Sequence, residues 1–330
     1  MDWPGRTALG RARHKPTLFY STPHGRMFLG LAEDVLESPL ARRLKGRVKL
    51  IFTSPPFPLN RKKKYGNLEG RQYLLWLSGF ADVLSPLLHP KGSIVIEIGN
   101  AWEPGSPTFS TLPMQSLLEF KEAGGFHLCQ EFIYYNPAKL PTPAQWVTID
   151  RERVKDAFSR LWWMSPSPHP DAKNVRVLLP YSEDMRKLLS TRKYNAGTRP
   201  SEHQIGPKSF LKDNGGSIPS NVLTAANTAA SDPYLQFCRK KGLEFHPARM
   251  PPEVARFFIT FLTKPGDLVM DPFGGSNVTG AVAEALGRRW MSIEPNIAYA
   301  RGSIGRFQKV TMGTRRNRTG PTGGRRERGR

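Results

Sequence analysis

Asp271-Pro272-Phe273-Gly274-Gly275-Ser276-Asn277-Val278-Thr279-Gly280 is the stretch that decides the fold. Before it, Asp267 to Met270 is a short strand candidate. After it, Asn277 to Leu286 places Val278, Val282 and Leu286 on one helical face and stops at Gly287. A glycine turn leading from a strand into a helix is where parallel sheets bind ligands, because glycine lets the backbone approach the bound molecule closely. The next strand candidate, Arg289–Ile293, ends at Glu294, 23 positions after Asp271. Helix candidates at Pro252–Leu262 and Asn296–Phe307 flank the unit.

The same alternation extends upstream. Thr17 to Leu29 reads as a strand or short hairpin. Val48 to Phe52 is an apolar run that ends in Thr53-Ser54-Pro55-Pro56-Phe57, where two prolines cannot continue a ladder, so a buried strand delivers a rigid loop. Tyr73, Leu77, Phe80, Leu84 and Leu87 recur at steps of four and three, which predicts an amphipathic helix over 71–88. Strands follow at Ser93–Ile98, Phe132–Tyr135 and Leu161–Met164, with a helix at Leu112–Glu122. Trp162 and Trp163 read as core, while Tyr65 and Tyr135 stay undecided between core and stacking roles. Strand and helix in turn imply an α/β sheet.

Between 166 and 245 the pattern degrades into a proline-rich stretch, and residues 186–212 hold seven Lys/Arg against one acid. An insertion loop explains the prolines, and a segment laid along phosphates explains the charge as well. The chain therefore divides into a basic arm (1–15), a first half (16–165), an inserted recognition region (166–245), a second half (246–308) and a disordered Arg/Gly tail (309–330).

Charge points to the partner. The 330 residues carry a net +22, and the seven arginines of 314–330 supply only part of it. An excess of this size attracts a polyanion, and nucleic acid leads. Cys129 and Cys238 make no disulfide framework and lack zinc-site spacing, so no metal and a reducing, cytoplasmic location are expected. No run approaches the ~20 apolar residues of a membrane span.

Two loops carry the chemistry. A carboxylate at Asp271 repels a pyrophosphate but suits a cationic amino acid, and the loop lacks the G-x-G-x-x-G order of nicotinamide and flavin sites. S-adenosylmethionine fits, with its ammonium and sulfonium near Asp271 and its ribose hydroxyls on Glu294. A bare glycine turn is the plain alternative. In the other loop, Ser54 offers a hydroxyl, Pro55 a carbonyl and Phe57 an aromatic face, the parts needed to hold the exocyclic amine of a planar base. The plain alternative there is a Ser-Pro-Pro turn with a core aromatic.

These motifs resemble the amino-methylating DNA methyltransferases, and within them the cytosine-N4 group, whose catalytic motif reads S-P-P-Y/F where adenine-N6 enzymes usually have D-P-P-Y/F/W. The catalytic motif at 53–57 precedes the cofactor motif at 271–276, the permuted order of the β group. Arg61-Lys62-Lys63-Lys64-Tyr65-Gly66-Asn67, Asn136 to Pro141, Asp213 to Pro219 and His246-Pro247-Ala248-Arg249 extend the resemblance over about 16–308.

The resemblance implies an S-adenosylmethionine-dependent methyltransferase fold: a mixed, mostly parallel seven-stranded sheet with an antiparallel end strand, helices on both faces and an inserted DNA-recognition region. It implies Ser54, Pro55, Pro56 and Phe57 as catalytic residues. The cofactor would be held by Asp271, Pro272, Phe273, Gly274, Gly275, Ser276 and Glu294, with His246 and Pro247 beside its methionine end. His246 itself reads as a helix-entry residue rather than a general base. Duplex DNA would meet Arg61, Lys62, Lys63, Lys64, Arg192, Lys193, Arg199, Lys208 and Lys212. Relatives often have Gly-Asp where this chain has Gly30-Leu31, so the aspartate's contact is missing or is supplied by Glu33 or Asp34.

The expected function is methylation of a flipped cytosine at N4 by a monomer of a type II restriction–modification system. CAGCTG is the expected site, and an endonuclease cutting it the expected companion. Ser54 disfavours adenine. The presence of Ser54, Pro55, Pro56, Asp271 and Glu294 disfavours a catalytically silent DNA-binding scaffold. Carbon-5 methylation lacks its Pro-Cys nucleophile, since Cys129 follows Leu128 and Cys238 follows Phe237.

Overall fold

The computed structural model describes residues 17–57, 70–227 and 231–313. β1 (Thr17–Ser21) and β2 (Gly25–Leu29) form the expected hairpin, and α1 (Ala32–Leu36) and α2 (Pro39–Arg42) lead to β3 (Val48–Thr53). α3 (Gly70–Leu84), β4 (Leu88–Gly99), α4 (Leu112–Ala123), β5 (His127–Tyr135) and β6 (Phe158–Ser165) complete the first half. The region after it contains α5 (Glu183–Thr191), a small ribbon of β7 (Gly197–Thr198) and β8 (Gln204–Ile205), β9 (Val222–Thr224) and α6 (Pro233–Lys241). α7 (Pro252–Leu262), β10 (Leu268–Asp271), α8 (Val278–Ala285), β11 (Arg289–Glu294), α9 (Ile297–Ser303) and β12 (Thr311–Met312) follow.

The main sheet has the order β12-β1-β2-β11-β10-β3-β4-β6-β5-β9. Seven strands, β2 through β5 in that order, form the expected methyltransferase sheet, and β1, β12 and β9 widen it to ten. The reversed strand of the seven is β6, which runs antiparallel to both β4 and β5, so it lies inside the sheet and not at its end. β3, β10, β11 and β2 are parallel neighbours, so the loops leaving their carboxyl ends emerge side by side.

Strand alternation builds a core on each face. Ile51 points to one side with Ile94, Ile96, Met270 and Ile293, under the Tyr73–Trp76–Leu77–Phe80 stripe of α3. Leu50 and Phe52 point to the other, with Val95 and Val269, under Val254, Phe258 and Leu262 of α7 and Val278 and Val282 of α8. Burial on both faces explains why Val48 to Phe52 is apolar apart from Lys49, whose ammonium pairs with Asp171 at 2.9 Å. Trp162 and Trp163 are core residues, their indoles bonded to Glu131 and Ser93 at 3.1 and 2.9 Å.

Two boundaries shift. Thr311 and Met312 pair with Ser21 and Tyr20, so the segment expected to be a tail from 309 begins with an edge strand; residues 314–330 lie outside the described residues, as does the arm. The 166–245 region is not wholly an insertion either. β9 joins the main sheet beside β5, and Tyr234, Leu235 and Cys238 of α6 form a small buried cluster. α6 packs against α9, so this end of the region belongs to the scaffold.

Candidate active site

A cavity of about 600 Å³ opens where β2, β11, β10, β3 and β4 end. Its lining includes Ser54, Pro55, Pro56 and Phe57 from one loop and Asp271 through Ser276 from another, with Glu294, His246 and Glu33. Its size is within the roughly 300–1,000 Å³ of small-molecule sites. The two motifs, more than two hundred positions apart in sequence, thus share one space.

Ser54 is exposed at the end of β3, while Pro55 is buried and locks the turn. The Phe57 ring stands edge-on to Tyr73 of α3, with centroids 5.6 Å apart and planes at 88°. Phe57 is therefore both a core contact and a cavity wall, and the two readings of this aromatic are compatible.

Asp271 is 5% exposed and held by protein donors. Oδ1 accepts the Thr53 hydroxyl at 2.7 Å and the Phe273 N–H at 3.0 Å, and Oδ2 accepts the Thr279 hydroxyl at 2.7 Å. Burial pushes its pKa up, and those three donors oppose the rise. Asp271 is thus anchored by donors from β3, its own loop and α8, and Oδ2, which has one protein donor, keeps an acceptor direction at the cavity lining.

Glu294 is arranged differently. Oε2 accepts the Gly275 N–H at 2.8 Å and Oε1 the Asn296 N–H at 2.7 Å. A carboxylate oxygen has two acceptor directions, so each keeps one for a further donor such as a hydroxyl. Burial raises its pKa to about 7, opposed by the two backbone donors and reinforced by Asp271. Gly275 has φ +51°, and a Cβ there would lie 3.2 Å from His246 Nε2, so only glycine fits this bend without displacing the imidazole.

The rest of the cofactor loop is clamped from behind. Arg306 donates to the Ser276 carbonyl at 2.7 Å and to Asp232 at 2.9 and 3.1 Å. Asn277, in the left-handed region at φ 55°, caps α8 through the Gly280 N–H. His246 lines the cavity, its ring edge-on to Tyr299 and its Nδ1 hydrogen-bonded to the Ala248 carbonyl; it lies in the loop between α6 and α7, five positions before the Pro251 cap, and is not the helix-entry residue expected. Pro247 is exposed and outside the cavity lining, so of the expected pair only His246 is brought to the site.

Leu31 lines the cavity without a polar group, and Glu33 supplies a carboxylate nearby. Glu33 is 7% exposed and accepts the Trp76 indole N–H at 2.9 Å through Oε1. Glu97 also lines the cavity, one position beyond Ile96, the partner of Thr53 in the β3–β4 register. The lining holds five carboxylates, Glu33, Glu97, Glu244, Asp271 and Glu294, against Lys139 and His246, a balance that favours a cationic ligand.

Arg192, Lys193, Arg199, Lys208 and Lys212 are all exposed, and none forms a salt bridge among the described residues. Arg61 to Tyr65 lie outside the described residues. Neither Cys129 on β5 nor Cys238 on α6 lines the cavity. No helix among the described residues is long and apolar enough to cross a membrane.

Comparison with known proteins accords with this geometry. The family model N6_N4_Mtase, described as DNA methylase, matches residues 48–304. The chain belongs to the DNA methylase family. The type II methyltransferase M.PvuII of Proteus hauseri is 44% identical over 290 residues, covering 87% of this chain and 85% of that protein. M.BamHI of Bacillus amyloliquefaciens is 25% identical over 255 residues, 75% of this chain and 50% of its own. The solved PvuII DNA methyltransferase, titled cytosine-N4-specific, superposes with a TM-score of 0.71 at 36% identity over 90% of this chain and 91% of that one. The sheet is accordingly the one used by S-adenosylmethionine-dependent methyltransferases, with the DNA methylase motifs at its carboxyl edge.

Proposed function

We propose that this DNA methylase transfers a methyl group from S-adenosylmethionine to the exocyclic N4 of a cytosine flipped out of duplex DNA. The observation that carries the reading is the opening of the Ser54–Phe57 loop and the Asp271–Ser276 loop onto one cavity. S-adenosylmethionine supplies, when bound, an electrophilic methyl on a sulfonium. The residues present fit it: the lining is rich in carboxylates, Gly275 forms a bend a Cβ would fill, and Glu294 keeps acceptor directions for a ribose diol.

Along the strand ends the order is Ser54 just after β3, Asp271 on β10, Glu294 on β11 and Glu33 after β2. Glu294 would hold the ribose, and the Glu33 side of the cavity would hold the adenine, beside Phe273 and Trp76, whose rings pack on each other with centroids 5.7 Å apart. Glu33 then accepts from the adenine amine, the role that Leu31 cannot fill.

The cytosine amine is a weak nucleophile because its lone pair is delocalised into the ring, and it is inaccessible within a stacked duplex. Flipping costs a few kcal/mol. In the cavity Phe57 stacks on the base, while the Ser54 hydroxyl and the Pro55 carbonyl accept the amine hydrogens and favour a pyramidal nitrogen facing the cofactor loop. Placement and electrostatics supply the rate, with no covalent enzyme intermediate. Arg192, Lys193, Arg199, Lys208 and Lys212, with Arg61 to Lys64, hold phosphate.

CAGCTG is the proposed site, read by the 166–245 region, and the protein acts as a monomer in the cytoplasm beside an endonuclease of the same specificity. The test is protection. A plasmid from an expressing host should resist an endonuclease that cuts CAGCTG, and full cutting after confirmed expression would remove the site assignment.

A further inference from the structure

Resting on the methyl-transfer reading above, we propose that Asp271 is a positioning residue that, through Thr53, ties the loop holding the methyl acceptor to the loop holding the methyl donor. β3 and β10 are parallel neighbours, with Leu50 and Ile51 opposite Val269 and Met270. Their last residues, Thr53 and Asp271, are 2% and 5% exposed, and the Thr53 hydroxyl donates to Asp271 Oδ1 at 2.7 Å. Each is the final fixed point before a functional loop. Ser54 follows Thr53 directly, and the two prolines after it leave little freedom to absorb a shift. Asp271 in turn holds the Phe273 N–H and, from α8, the Thr279 hydroxyl.

A buried carboxylate is costly, and burial pushes this one toward protonation. Three protein donors, one from β3, one from the loop itself and one from α8, meet its two oxygens, so the carboxylate joins three segments whatever its remaining acceptor direction offers the ligand. A link between donor and acceptor loops bears directly on transfer, because near-attack geometry tolerates little error: a displacement of about 1 Å costs on the order of a hundredfold in rate. The bond is absent from any reading of local motifs, since its partners are 218 positions apart.

The experiment uses the full chain, measuring single-turnover methyl transfer at saturating S-adenosylmethionine and DNA, with cofactor affinity by calorimetry and thermal melting alongside. Thr53→Val keeps the side-chain shape and removes the donor. It should slow transfer by about 10–100-fold while cofactor affinity stays within about threefold, and Thr53→Ser, which restores the hydroxyl, should recover the rate to within about threefold of wild type. Thr279→Val frees Asp271 from α8 without touching β3 and should slow transfer less than Thr53→Val. If Thr53→Val does not fold, Thr53→Ala with the same serine rescue takes its place.

An unchanged rate in the valine or alanine variant, a loss explained entirely by weaker cofactor binding, or a serine variant as slow as the valine one at equal thermal stability would each overturn the proposal. Failure of the underlying reading shows instead in the wild-type chain, as absent cofactor binding and absent methyl transfer. Failure of the positioning role shows only in the variants, against an active wild type.

Discussion

Glu294 accepts the backbone N–H of Gly275 at 2.8 Å, so the acid at the end of β11 and the glycine bend after β10 form one hydrogen-bonded unit. The bond crosses between adjacent parallel strands and gives the cofactor loop its shape before any ligand arrives. It also gives the site a pH dependence whose sign follows from burial.

Burial raises the Glu294 pKa to about 7 from an ordinary value of 4.5. The folded chain therefore binds its proton more tightly than the unfolded chain, and stability falls as pH rises through that window. Glu294→Gln removes the cost of ionisation. Its melting temperature relative to wild type should be higher at pH 8 than at pH 5, by at least about 2 °C for a chain of this size. Cofactor affinity of the wild type should rise between pH 6 and pH 8, because ribose hydroxyls donate best to the ionised acid, and the glutamine variant should lose that rise. A melting difference independent of pH would contradict the role of this carboxyl group.

Much of this was legible in the sequence, and the limits have physical causes. The 48–57 and 267–294 segments were readable because buried parallel strands are continuous apolar runs and their loops announce themselves with proline and glycine. The partners of Asp271 were not readable. Thr53 and Thr279 are ordinary residues whose meaning comes from β3 lying beside β10, a neighbour relation that no local pattern encodes. The acidic residue at Glu33 could be suspected only because Leu31 lacks a carboxylate. β9 was hidden for another reason: three residues are too few for a period, and pairing with β5 makes them a strand. The 166–245 region concealed α6 because its small apolar face needs α9 to be buried.

Glu33→Gln addresses the adenine end of the cavity. The amide can still accept from Trp76 through its oxygen and then presents N–H groups in place of a carboxylate oxygen. S-adenosylhomocysteine should bind the variant about tenfold more weakly, the worth of one hydrogen bond to a charged group. S-inosylhomocysteine, with an acceptor in place of the amine, should lose less or gain. Equal losses for both compounds would place Glu33 away from the base.

Ser54→Ala should reduce turnover at least about tenfold, the equivalent of one hydrogen bond of ~1.4 kcal/mol, with cofactor affinity unchanged. The Ser54 hydroxyl is exposed and makes no side-chain hydrogen bond among the described residues, so melting should match wild type. A variant that turns over at the wild-type rate would remove Ser54 from the amine-binding group.

DNA affinity should fall steeply with salt, with a slope near −0.9 in log–log form for each phosphate contact. Replacing Lys193 or Arg199 by alanine should flatten the slope by about one unit and weaken all sequences alike. A shift in sequence preference with an unchanged slope would assign the residue to base reading instead.

DNA from an expressing host, digested to nucleosides and resolved by chromatography against authentic standards before mass spectrometry, should contain N4-methylcytosine that is absent from the parental host. Positional sequencing should place it within CAGCTG. Methyl groups on adenine N6 or cytosine C5 would rule out transfer to cytosine N4, and no modified base from a chain that still binds S-adenosylmethionine would leave only a silent DNA-binding scaffold.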